Sequence, residues 1–488
     1  MDAVRIVVVV MGWAAGLVML ALLAMFVQDV FQKGHAVRRN FPIIGRLRYF
    51  LERQGEYFRQ YFFADDRQEL PFNRATRAWV YRTAKNLGGT IGFGSTYDLR
   101  EPGAIIFVNS PYPLLEEACE SAPPLVIGPD CDRPFSARHI ANISGMSFGA
   151  ISKPAVRALS RGAGEAGVWL NTGEGGLSPY HLEGGCDLIF QIGTAKYGVR
   201  DADGNLSVAR LREVAAHVKA FELKLAQGAK PGRGGLLPGV KVTPEVAKIR
   251  GIPVGVTSNS PNRHREIDSP QDLLDMVQHI REVTGLPVGF KTVIGSDIYP
   301  RELCETILRR GLDCAPDFIT LDGAEGGSGA APQVLADHSG LPLAESLPLL
   351  VNVLMEAGLR DRIRVVASGK LVTSAMVAWA LCAGADFAVS ARGFMFALGC
   401  IQSLQCHLDT CPTGVTTHNR RMQKGLVVSD KATRVAHYAR NLNREVDMLA
   451  HSCGLRHARQ FRRQHARIVQ VAGHSEALDV VYPYPLGA

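Results

Sequence analysis

The repeating unit of the fold can be read in residues 286–322, LPVGFKTVIGSDIYPRELCETILRRGLDCAPDFITLD. Two short apolar runs, Val288–Thr292 and Phe318–Asp322, lie on either side of a segment at 300–310 whose apolar residues recur at helical spacing. Short apolar runs that alternate with amphipathic segments are typical of parallel strands joined by helices. The stretch therefore predicts one strand–helix–strand unit of a parallel sheet.

The same alternation extends outward from this unit. The other strand candidates are Asn142–Ser147, Val168–Asn171, Leu188–Ile192, Glu222–Ala226, Arg364–Ala367 and Phe387–Ser390. Further helix candidates are 153–165, 208–220, 270–283, 343–358 and 372–383, whereas the second gap has no obvious helix. Eight such units over roughly 260 residues predict an α/β fold, a closed (β/α)8 or TIM barrel. An open doubly wound sheet is the alternative, and the absence of G-x-G-x-x-G after the first strand weakens it.

The composition excludes several classes of protein. The chain has 488 residues, of which 47% are hydrophobic and 20% charged, which excludes a mainly disordered chain. The net charge of +8 is spread along the chain without a basic stripe interleaved with aromatics, so we expect no nucleic-acid partner. Ten cysteines are too few for a disulfide scaffold of this size.

The N-terminus predicts a membrane anchor. Residues 6–27, IVVVVMGWAAGLVMLALLAMFV, carry no charge and as a helix would be about 33 Å long, enough to cross a bilayer. The apolar region of a signal peptide is shorter, about 7–15 residues. The positive-inside rule places the trailing side of the helix in the cytoplasm, because five cations follow it: Lys33, Arg38, Arg39, Arg46 and Arg48. We therefore predict a single-pass protein of the inner, cytoplasmic membrane with its body on the cytoplasmic side.

These patterns divide the chain into four parts. A transmembrane helix at 1–29 is followed by an extension at 30–135, which is expected to pack on the barrel. The barrel covers 136–425, and a helical tail covers 426–488.

Glycine-rich polar loops follow several predicted strands, notably at 145–149, 171–176 and 322–329. In a barrel these loops form the C-terminal mouth, where ligands bind. The loops after the last two strands, Ser368-Gly369-Lys370 and Ser390-Ala391-Arg392-Gly393, predict a phosphate site in which Lys370 or Arg392 balances the charge. Lys291 ends the fifth strand, where a cation can stabilise the N1/O2 edge of a reduced flavin.

Three cysteines cluster in the loop 400–411, at Cys400, Cys406 and Cys411, and Pro412 follows. Thiolates held close together in a reducing compartment indicate a bound metal or cluster. Three cysteines suit a 3Fe–4S cluster, and a Cys-Pro ending is found in cluster loops. Zinc with His407 or His418 as a fourth ligand is an alternative, and chance clustering is a third.

Six stretches in residues 135–460 resemble the FMN-binding synthase domain of the glutamate synthase family. They are GMSFGAIS (145–152), NTGEGG (171–176), AQGAKPGRGGLLPGVKVTPEVAKIR (226–250), DGAEGGSGAAP (322–332), ASGKLVTS (367–374) and ALGCIQSLQCHLDTCPTGV (397–415). The cysteine spacing of the last stretch resembles that of the family's 3Fe–4S loop. The resemblance thus implies two cofactors, FMN and a 3Fe–4S cluster held by Cys400, Cys406 and Cys411.

The resemblance also implies a reaction and its residues. Electrons pass from the cluster to FMN, whose hydride reduces 2-iminoglutarate, formed from 2-oxoglutarate and ammonia, to L-glutamate. Lys230 and Arg250 resemble the cations that hold the oxo-acid, and Glu174 would bind the amino nitrogen or relay a proton. The predicted cofactor-binding residues are Gly145, Met146, Ser147, Asn171, Gln191, Lys291, Gly326, Gly327, Gly369, Lys370, Ala391 and Arg392.

Two departures from the family leave the function partly open. Leu236 stands where the family has Gln, which puts 2-oxoglutarate in doubt and admits a related oxo-acid. The glutamine-hydrolysing domain is not found, and its place holds the apolar helix. Ferredoxin, a separate NADPH-oxidising subunit or a membrane quinol could donate electrons. The alternative functions are a membrane-tethered amino-acid dehydrogenase and an electron-transfer subunit that exchanges electrons with quinone or a partner protein.

Overall fold

The computed structural model describes residues 2–471 and 473–486. Met1, Ala472, Gly487 and Ala488, which belong to the predicted N-terminal and C-terminal parts, lie outside the described residues. The chain divides into two compact units, Met1–Ala75 and Thr76–Ala488.

The second unit is built on a closed barrel of parallel strands. In chain order they are β1 (Ala141–Ile143), β2 (Leu170–Asn171), β3 (Leu188–Ile192), β4 (Ala220–Lys224), β5 (Val288–Thr292), β6 (Phe318–Asp322), β7 (Arg364–Ser368) and β8 (Phe387–Ser390). Each strand pairs with the next, and β8 closes the barrel on β1 by placing Val389 opposite Asn142. The predicted (β/α)8 barrel is confirmed, and the open sheet is excluded.

The bounds of four strands, β1, β2, β4 and β7, differ from the predicted ones, and the shifts of β1 and β4 have a physical reason. β1 ends at Ile143 rather than Ser147, because Ile143 pairs with Ser390, where the neighbouring strand β8 ends. β4 begins two residues before the predicted Glu222, since Ala220 and Phe221 are fully buried and pair with neighbouring strands. Both shifts leave the polar loops at the C-terminal ends of the strands.

Helices follow most strands and surround the barrel. They are Lys153–Ala166, Pro179–Leu182, Val208–Ala215, Pro244–Arg250, Pro270–Thr284, Ile298–Arg310, Gln333–His338, Leu343–Glu356, Ser374–Cys382, Arg392–Leu398 and Arg420–Gln423. Side-chain oxygens of Ser152, Thr243 and Ser269 cap three of these helices by accepting a backbone N–H of the first turn. The short helix Pro179–Leu182 lies in the gap where the sequence pattern has no obvious helix.

An apolar plug fills the N-terminal end of the barrel. An antiparallel hairpin, Leu125–Ile127 with Phe135–Ala137, contributes Ile127 and Phe135 to a buried cluster with Trp169, Phe318 and Phe387. The last three side chains lie at or just before the starts of their strands. Since this end is closed by packing, only the C-terminal mouth is left for a ligand.

The end of the chain returns to the first part of the barrel. The long helix Val428–Ser452 packs on Lys153–Ala166, where a Cβ on Gly162 would lie 2.6 Å from Val435. A three-stranded antiparallel sheet follows, in which Ala466–Val471 pairs with Ile105–Phe107 and with His474–Ala477. Residues 426–488 thus contain strands as well as the expected helix.

The first unit contains the helices Asp2–Phe31, Ala36–Asn40 and Ile44–Phe58, which continues into one π-helical turn at Arg59–Phe63. Residues Ala3–Phe31 are long and apolar enough to span a membrane, with a mean hydropathy of 2.7 in the most apolar window. A signal sequence near the N-terminus can also meet these criteria of length and hydropathy, so the membrane anchor stays a prediction.

Candidate functional site

A buried carboxylate organises the inside of the barrel mouth. Glu222 on β4 accepts hydrogen bonds from Asn171 on β2 (2.8 Å), Gln191 on β3 (2.6 Å) and Thr320 on β6 (2.6 Å). These four side chains are at most 5% exposed. Four strands of the barrel therefore hold Asn171 and Gln191, two predicted cofactor-binding residues, in fixed orientations.

Glycines allow the first two mouth loops to approach each other closely. Gly173 has a φ of +66°, and a Cβ there would lie 2.5 Å from the Ser147 nitrogen. A Cβ on Gly145 would lie 2.9 Å from Asn171 Oδ1, which also accepts the Gly173 N–H. The predicted loop of Gly145, Met146 and Ser147 is thus packed against the NTGEGG loop with no room for larger residues.

A second buried carboxylate lies on the other side of the mouth. Asp322 at the end of β6 pairs with Lys291 Nζ at 3.3 Å and accepts hydrogen bonds from Gly228 N and Ser368 Oγ. Burial raises the pKa of Asp322, but Lys291 and these donors outweigh it and lower the pKa below its ordinary value. The ion pair holds the Lys291 ammonium 7% exposed at the mouth, where the sequence predicts a flavin.

Two cations and two glycine loops meet after β6, β7 and β8. A Cβ on Gly327 would lie 2.8 Å from Arg392 Nε, and Arg392 donates to the Glu325 carbonyl at 2.6 Å. Burial lowers the pKa of Lys370, and the positive charge of Arg392 lowers it further. Burial also lowers the pKa of Arg392, to about 10. An anion between these cations would relieve their repulsion, so the residues present fit a phosphate-bearing group such as FMN.

Two further predicted residues flank this place. Gly369 has a φ of +136°, and a Cβ there would lie 3.2 Å from the Gly323 nitrogen. Ala391 directly precedes the helix Arg392–Leu398, and Gly326 leaves no space for a Cβ beside Asp322. The predicted cofactor-binding residues therefore surround one mouth rather than lying apart.

A cluster of one carboxylate and three cations lies beside the β2–β4 loops. Glu174 Oε1 is 3.0 Å from Lys224 Nζ, and Lys230 and Arg250 act on the same carboxylate through space. Lys230 is 4% exposed and Arg250 5%. Three cations around one carboxylate leave an excess of two positive charges, which a dicarboxylate would balance.

The charged groups of this cluster shift one another's pKa values. Burial raises the pKa of Glu174, but Lys224, Lys230 and Arg250 outweigh it and hold that pKa at about 2. Burial lowers the pKa of Lys230 to about 8 despite the attraction of Glu174. At neutral pH the Glu174 carboxylate is therefore ionised, and Lys230 is a proton donor close to its midpoint.

Arg250 has unused donor capacity. Its Nη2 donates to the Phe148 carbonyl at 3.2 Å, and its guanidinium lies 5.2 Å from the Tyr197 ring centre. Its Nε is buried and has no hydrogen-bond partner within the described part of the chain. Since a buried unpartnered donor is costly, this atom indicates a missing acceptor at the cluster.

The position of Leu236 bears on the substrate. A Cβ on the preceding Gly235 would lie 2.7 Å from Glu174 Oε1, so this loop lines the carboxylate. Leu236 pairs with Asn259 in a short antiparallel ladder and is 45% exposed. Leu236 is therefore an exposed apolar residue directly after the glycine that lines Glu174.

The cysteine loop has no regular secondary structure, and hydrogen bonds from other parts of the chain fix its backbone. Tyr81 Oη donates to the Cys400 carbonyl at 2.6 Å, and Lys241 Nζ donates to the Cys406 carbonyl at 3.1 Å. Three non-glycine residues of this loop have positive φ: Gln402, Leu404 and Asp409. Such conformations persist only where surrounding contacts impose them, which is common at functional sites.

The three thiols influence one another electrostatically. Burial raises the pKa of Cys400 to about 12, and Cys406 and Cys411 add to this effect. In residues 2–471 and 473–486, no three His, Cys, Asp or Glu side chains are grouped closely enough to hold a metal ion. The loop thus supplies three thiols, the donors that a 3Fe–4S cluster needs, but their sulfurs are not grouped as a set of metal ligands.

His418 is oriented away from the role of a fourth zinc ligand. Its Nε2 lies 2.9 Å from the Gly149 carbonyl, and its backbone N–H is bound by Asp409. This ring nitrogen is engaged in joining the cysteine loop to the first mouth loop.

Three charged residues of the mouth, Glu222, Lys224 and Asp322, are not among the residues predicted from the sequence. Two of them lie on β4 and one ends β6, within otherwise apolar runs. A charged residue inside a buried strand was the available signal, since such a residue needs a partner. The partners come from other strands, however, and local patterns do not reveal them.

The comparisons with known proteins agree on one family. A family model described as a conserved region in glutamate synthase matches residues 113–456. The glutamate synthase large subunit-like protein YerD of Bacillus subtilis is 39% identical over 481 residues, which cover 90% of this chain and 91% of that protein.

An archaeal-type glutamate synthase [NADPH] of Thermotoga neapolitana is 33% identical over 70% of this chain, and the alignment spans 64% of that relative. A solved structure of mandelate oxidase aligns with 81% of this chain at 17% identity and a TM-score of 0.48, too low to add to the argument. The chain belongs to the glutamate synthase family and is an oxidoreductase acting on CH–NH2 donors.

Proposed function

We propose that this enzyme is an FMN-dependent synthase that reductively aminates a dicarboxylic 2-oxo acid, with 2-oxoglutarate as the first candidate. The observation that carries the proposal is the excess of two positive charges around Glu174. A monocarboxylic oxo-acid would leave one of these buried cations uncompensated, which is costly.

The chain's own residues would bind and orient the oxo-acid. Arg250 can offer its unpartnered Nε to a carboxylate, and Lys230 can supply a second cation. Glu174 stays ionised at neutral pH, so it suits binding the cationic amino nitrogen better than relaying a proton. Lys230, with a pKa of about 8, is better suited to donate one.

The mouth residues would hold the cofactor. When bound, FMN would supply the hydride for the reduction. Lys370 and Arg392 would balance its phosphate, while Asn171, Gln191 and the Gly145–Ser147 loop would line its ring. Lys291, fixed by Asp322, would place a positive charge beside the ring.

Cys400, Cys406 and Cys411 would hold a 3Fe–4S cluster that passes electrons to the flavin. The strained backbone of the loop and its ties to Lys241 and Tyr81 support this placement. The donor of these electrons would be ferredoxin, a separate NADPH-oxidising subunit or a membrane quinol.

We further propose that the helix Asp2–Phe31 anchors the protein in the inner membrane with the barrel in the cytoplasm. Support comes from its exposure, its hydropathy and the cations that follow it.

A second candidate function is electron transfer without oxo-acid chemistry, or dehydrogenation of an amino acid. Leu236 favours this alternative, because an exposed apolar residue stands next to Gly235, which lines Glu174, where the family has Gln. A substrate with an apolar substituent would suit that position better than a second carboxylate.

One experiment separates these functions. Purified protein, chemically reduced without oxygen, is mixed with ammonia and either 2-oxoglutarate or pyruvate, and the flavin absorbance is followed. We expect 2-oxoglutarate to reoxidise the flavin at least about tenfold faster, since each 1.4 kcal/mol of added binding is a factor of ten. Equal rates would contradict the dicarboxylate, and reoxidation by a quinone analogue alone would favour electron transfer.

A further inference from the structure

A helix face whose large apolar side chains are exposed follows the long N-terminal helix. Seen down the axis of Ile44–Phe58, the apolar side chains recur at helical spacing on one side, and the π-helical turn extends them. The exposed fractions are 74% for Ile44, 54% for Leu47, 58% for Phe50, 55% for Leu51, 50% for Phe58 and 75% for Phe62.

The opposite side of this helix does have partners. A Cβ on Gly45 would lie 2.8 Å from the Val37 carbonyl, so the helix Ala36–Asn40 packs directly against it. Tyr49 stacks edge-on with His35 at 5.2 Å, and the Arg38 guanidinium lies 5.1 Å from its ring centre. The exposed apolar side chains are therefore on the other side of the helix, and a contiguous apolar face of this kind marks an interaction surface.

A buried ion pair fixes where this helix starts. Asp29, in the last turn of Asp2–Phe31, is 1% exposed and accepts Arg46 Nε at 2.8 Å and the Ile43 N–H at 3.0 Å. Arg46 also donates to the Gln28 side chain at 2.7 Å. The first turn of Ile44–Phe58 is thereby held at the level where the apolar helix ends.

The charge of the same segment is strongly positive. Residues 33–63 hold seven cations against two carboxylates, a net charge of +5. The cations are Lys33, Arg38, Arg39, Arg46, Arg48, Arg53 and Arg59. An amphipathic helix that combines a cationic face with an aromatic and aliphatic face matches an anionic bilayer surface.

We propose that residues 33–63, which we name the interfacial segment, lie in the headgroup layer of an anionic bilayer with the apolar face against the acyl chains. The inference rests on the membrane placement proposed above and assigns a function to part of the extension that the anchor does not explain. A second copy of this chain is a poorer occupant, because it would bring two segments of +5 charge together.

The test uses the full-length protein in vesicles of anionic phosphatidylglycerol and of neutral phosphatidylcholine. Quenching by lipids brominated near the headgroup reports the depth of the tryptophan in Phe50→Trp, on the apolar face. Glu52→Trp, about 160° around the helix from Phe50, is the matched control. Both variants carry Trp13→Phe and keep Trp79, Trp169 and Trp379 as a common background. The parent protein, compared with Trp13→Phe, reports Trp13 in the long helix with deeply brominated lipids.

We expect the introduced tryptophan of Phe50→Trp to be quenched at least twofold more than that of Glu52→Trp, and more strongly in anionic vesicles. Quenching of Trp13 without this difference would overturn the interfacial segment and leave the anchor intact. An unquenched Trp13 would overturn the anchor, and quenching of the Phe50→Trp tryptophan would then support the segment on its own. Equal quenching of both variants, or dimers that protect both, would contradict the proposal.

Discussion

Lys230 and Glu174 lie in one charged cluster, but they differ in how easily they change charge near neutral pH. Burial lowers the pKa of Lys230 to about 8, whereas three cations hold the pKa of Glu174 at about 2. Of the two, only Lys230 changes its charge in the mildly alkaline range. Binding of an anionic substrate by this cluster should therefore weaken as the pH rises through 8.

For this reason we predict that kcat/KM for the oxo-acid is constant below pH 8 and falls above it by up to about tenfold per pH unit. Lys230→Arg should keep kcat/KM constant to higher pH, because its guanidinium stays charged. Lys230→Met should lower kcat/KM at pH 7 by about tenfold or more. A Lys230→Arg profile that falls with the same midpoint would assign the titration to another group. Steady-state assays between pH 6 and about pH 10 provide the measurement.

Glu222 offers a test of the scaffold rather than of the chemistry. Its carboxylate accepts three buried donors, from Asn171, Gln191 and Thr320. Glu222→Leu removes every acceptor and should destabilise the barrel by at least about 3 kcal/mol. Glu222→Gln is the matched control, because its amide oxygen can still accept both amides and the Thr320 hydroxyl can rotate to accept. Thermal unfolding and flavin content distinguish the two variants, and equal midpoints would refute the role.

Gly173 is the position at which the two mouth loops touch. Gly173→Ala adds a Cβ 2.5 Å from the Ser147 nitrogen, on top of the cost of a φ of +66°. Gly185→Ala has a similar φ of +64° but meets no atom within 4 Å. We expect Gly185→Ala to cost about 1 kcal/mol and keep its flavin. Gly173→Ala should lose most of its flavin, as measured by absorbance per mole of purified protein, and an equal flavin content would show that the contact does not matter.

The cysteine loop lends itself to a similar comparison. Cys406→Ser removes one proposed ligand, so iron content should fall to near zero while the barrel and its flavin remain. Cys119→Ser, in a segment far from the loop in sequence, is the control and should keep its iron. Iron and acid-labile sulfide assays with the paramagnetic signal of the oxidised protein give the answer. Retained iron in Cys406→Ser would remove this residue from the ligand set.

The local sequence pattern was enough to predict the strands and helices of the barrel. It did not predict the hairpin that plugs the barrel or the pairing of segments distant in sequence. Val288–Thr292 and Phe318–Asp322 have the predicted bounds, because short buried strands must be apolar throughout. The hairpin that plugs the barrel lies at 125–137, where the sequence carries no strong alternation. The pairing of Ile105–Phe107 with Ala466–Val471 joins segments more than 300 residues apart, which no local signal records.

For the whole molecule, the membrane anchor is the prediction with the widest consequence. Full-length protein should stay in the membrane pellet after alkaline carbonate extraction. Leu17→Arg combined with Leu20→Arg should release it, because each charge near the middle of a span costs about 3 kcal/mol. Gln32→Arg, just beyond the helix, should have no effect. Release of the unmodified protein by carbonate would end the anchor proposal.

The residues of the mouth were only partly predictable from the sequence, because contacts between segments distant in sequence leave no local signal. The sequence motifs single out Lys230, Arg250 and Glu174, and the family resemblance implies their roles. That Lys224 completes the cluster and Glu222 supports it depends on how β2, β3, β4 and β6 are aligned around the barrel. Such alignment is a property of barrel closure, which is set by all the strands together.

The first strand of the barrel, which pairs with β8, also forms hydrogen bonds with a helix outside the barrel. Asn443, in the helix Val428–Ser452, bonds both the N–H and the C=O of Ala141 on β1, at 2.9 and 3.1 Å. During synthesis β1 therefore has an unpaired edge until β8, about 245 residues later, has left the ribosome, and the Asn443 contact forms later still. Throughout that interval the cell's chaperones have an open strand to shield, and translation speed itself becomes a determinant of yield.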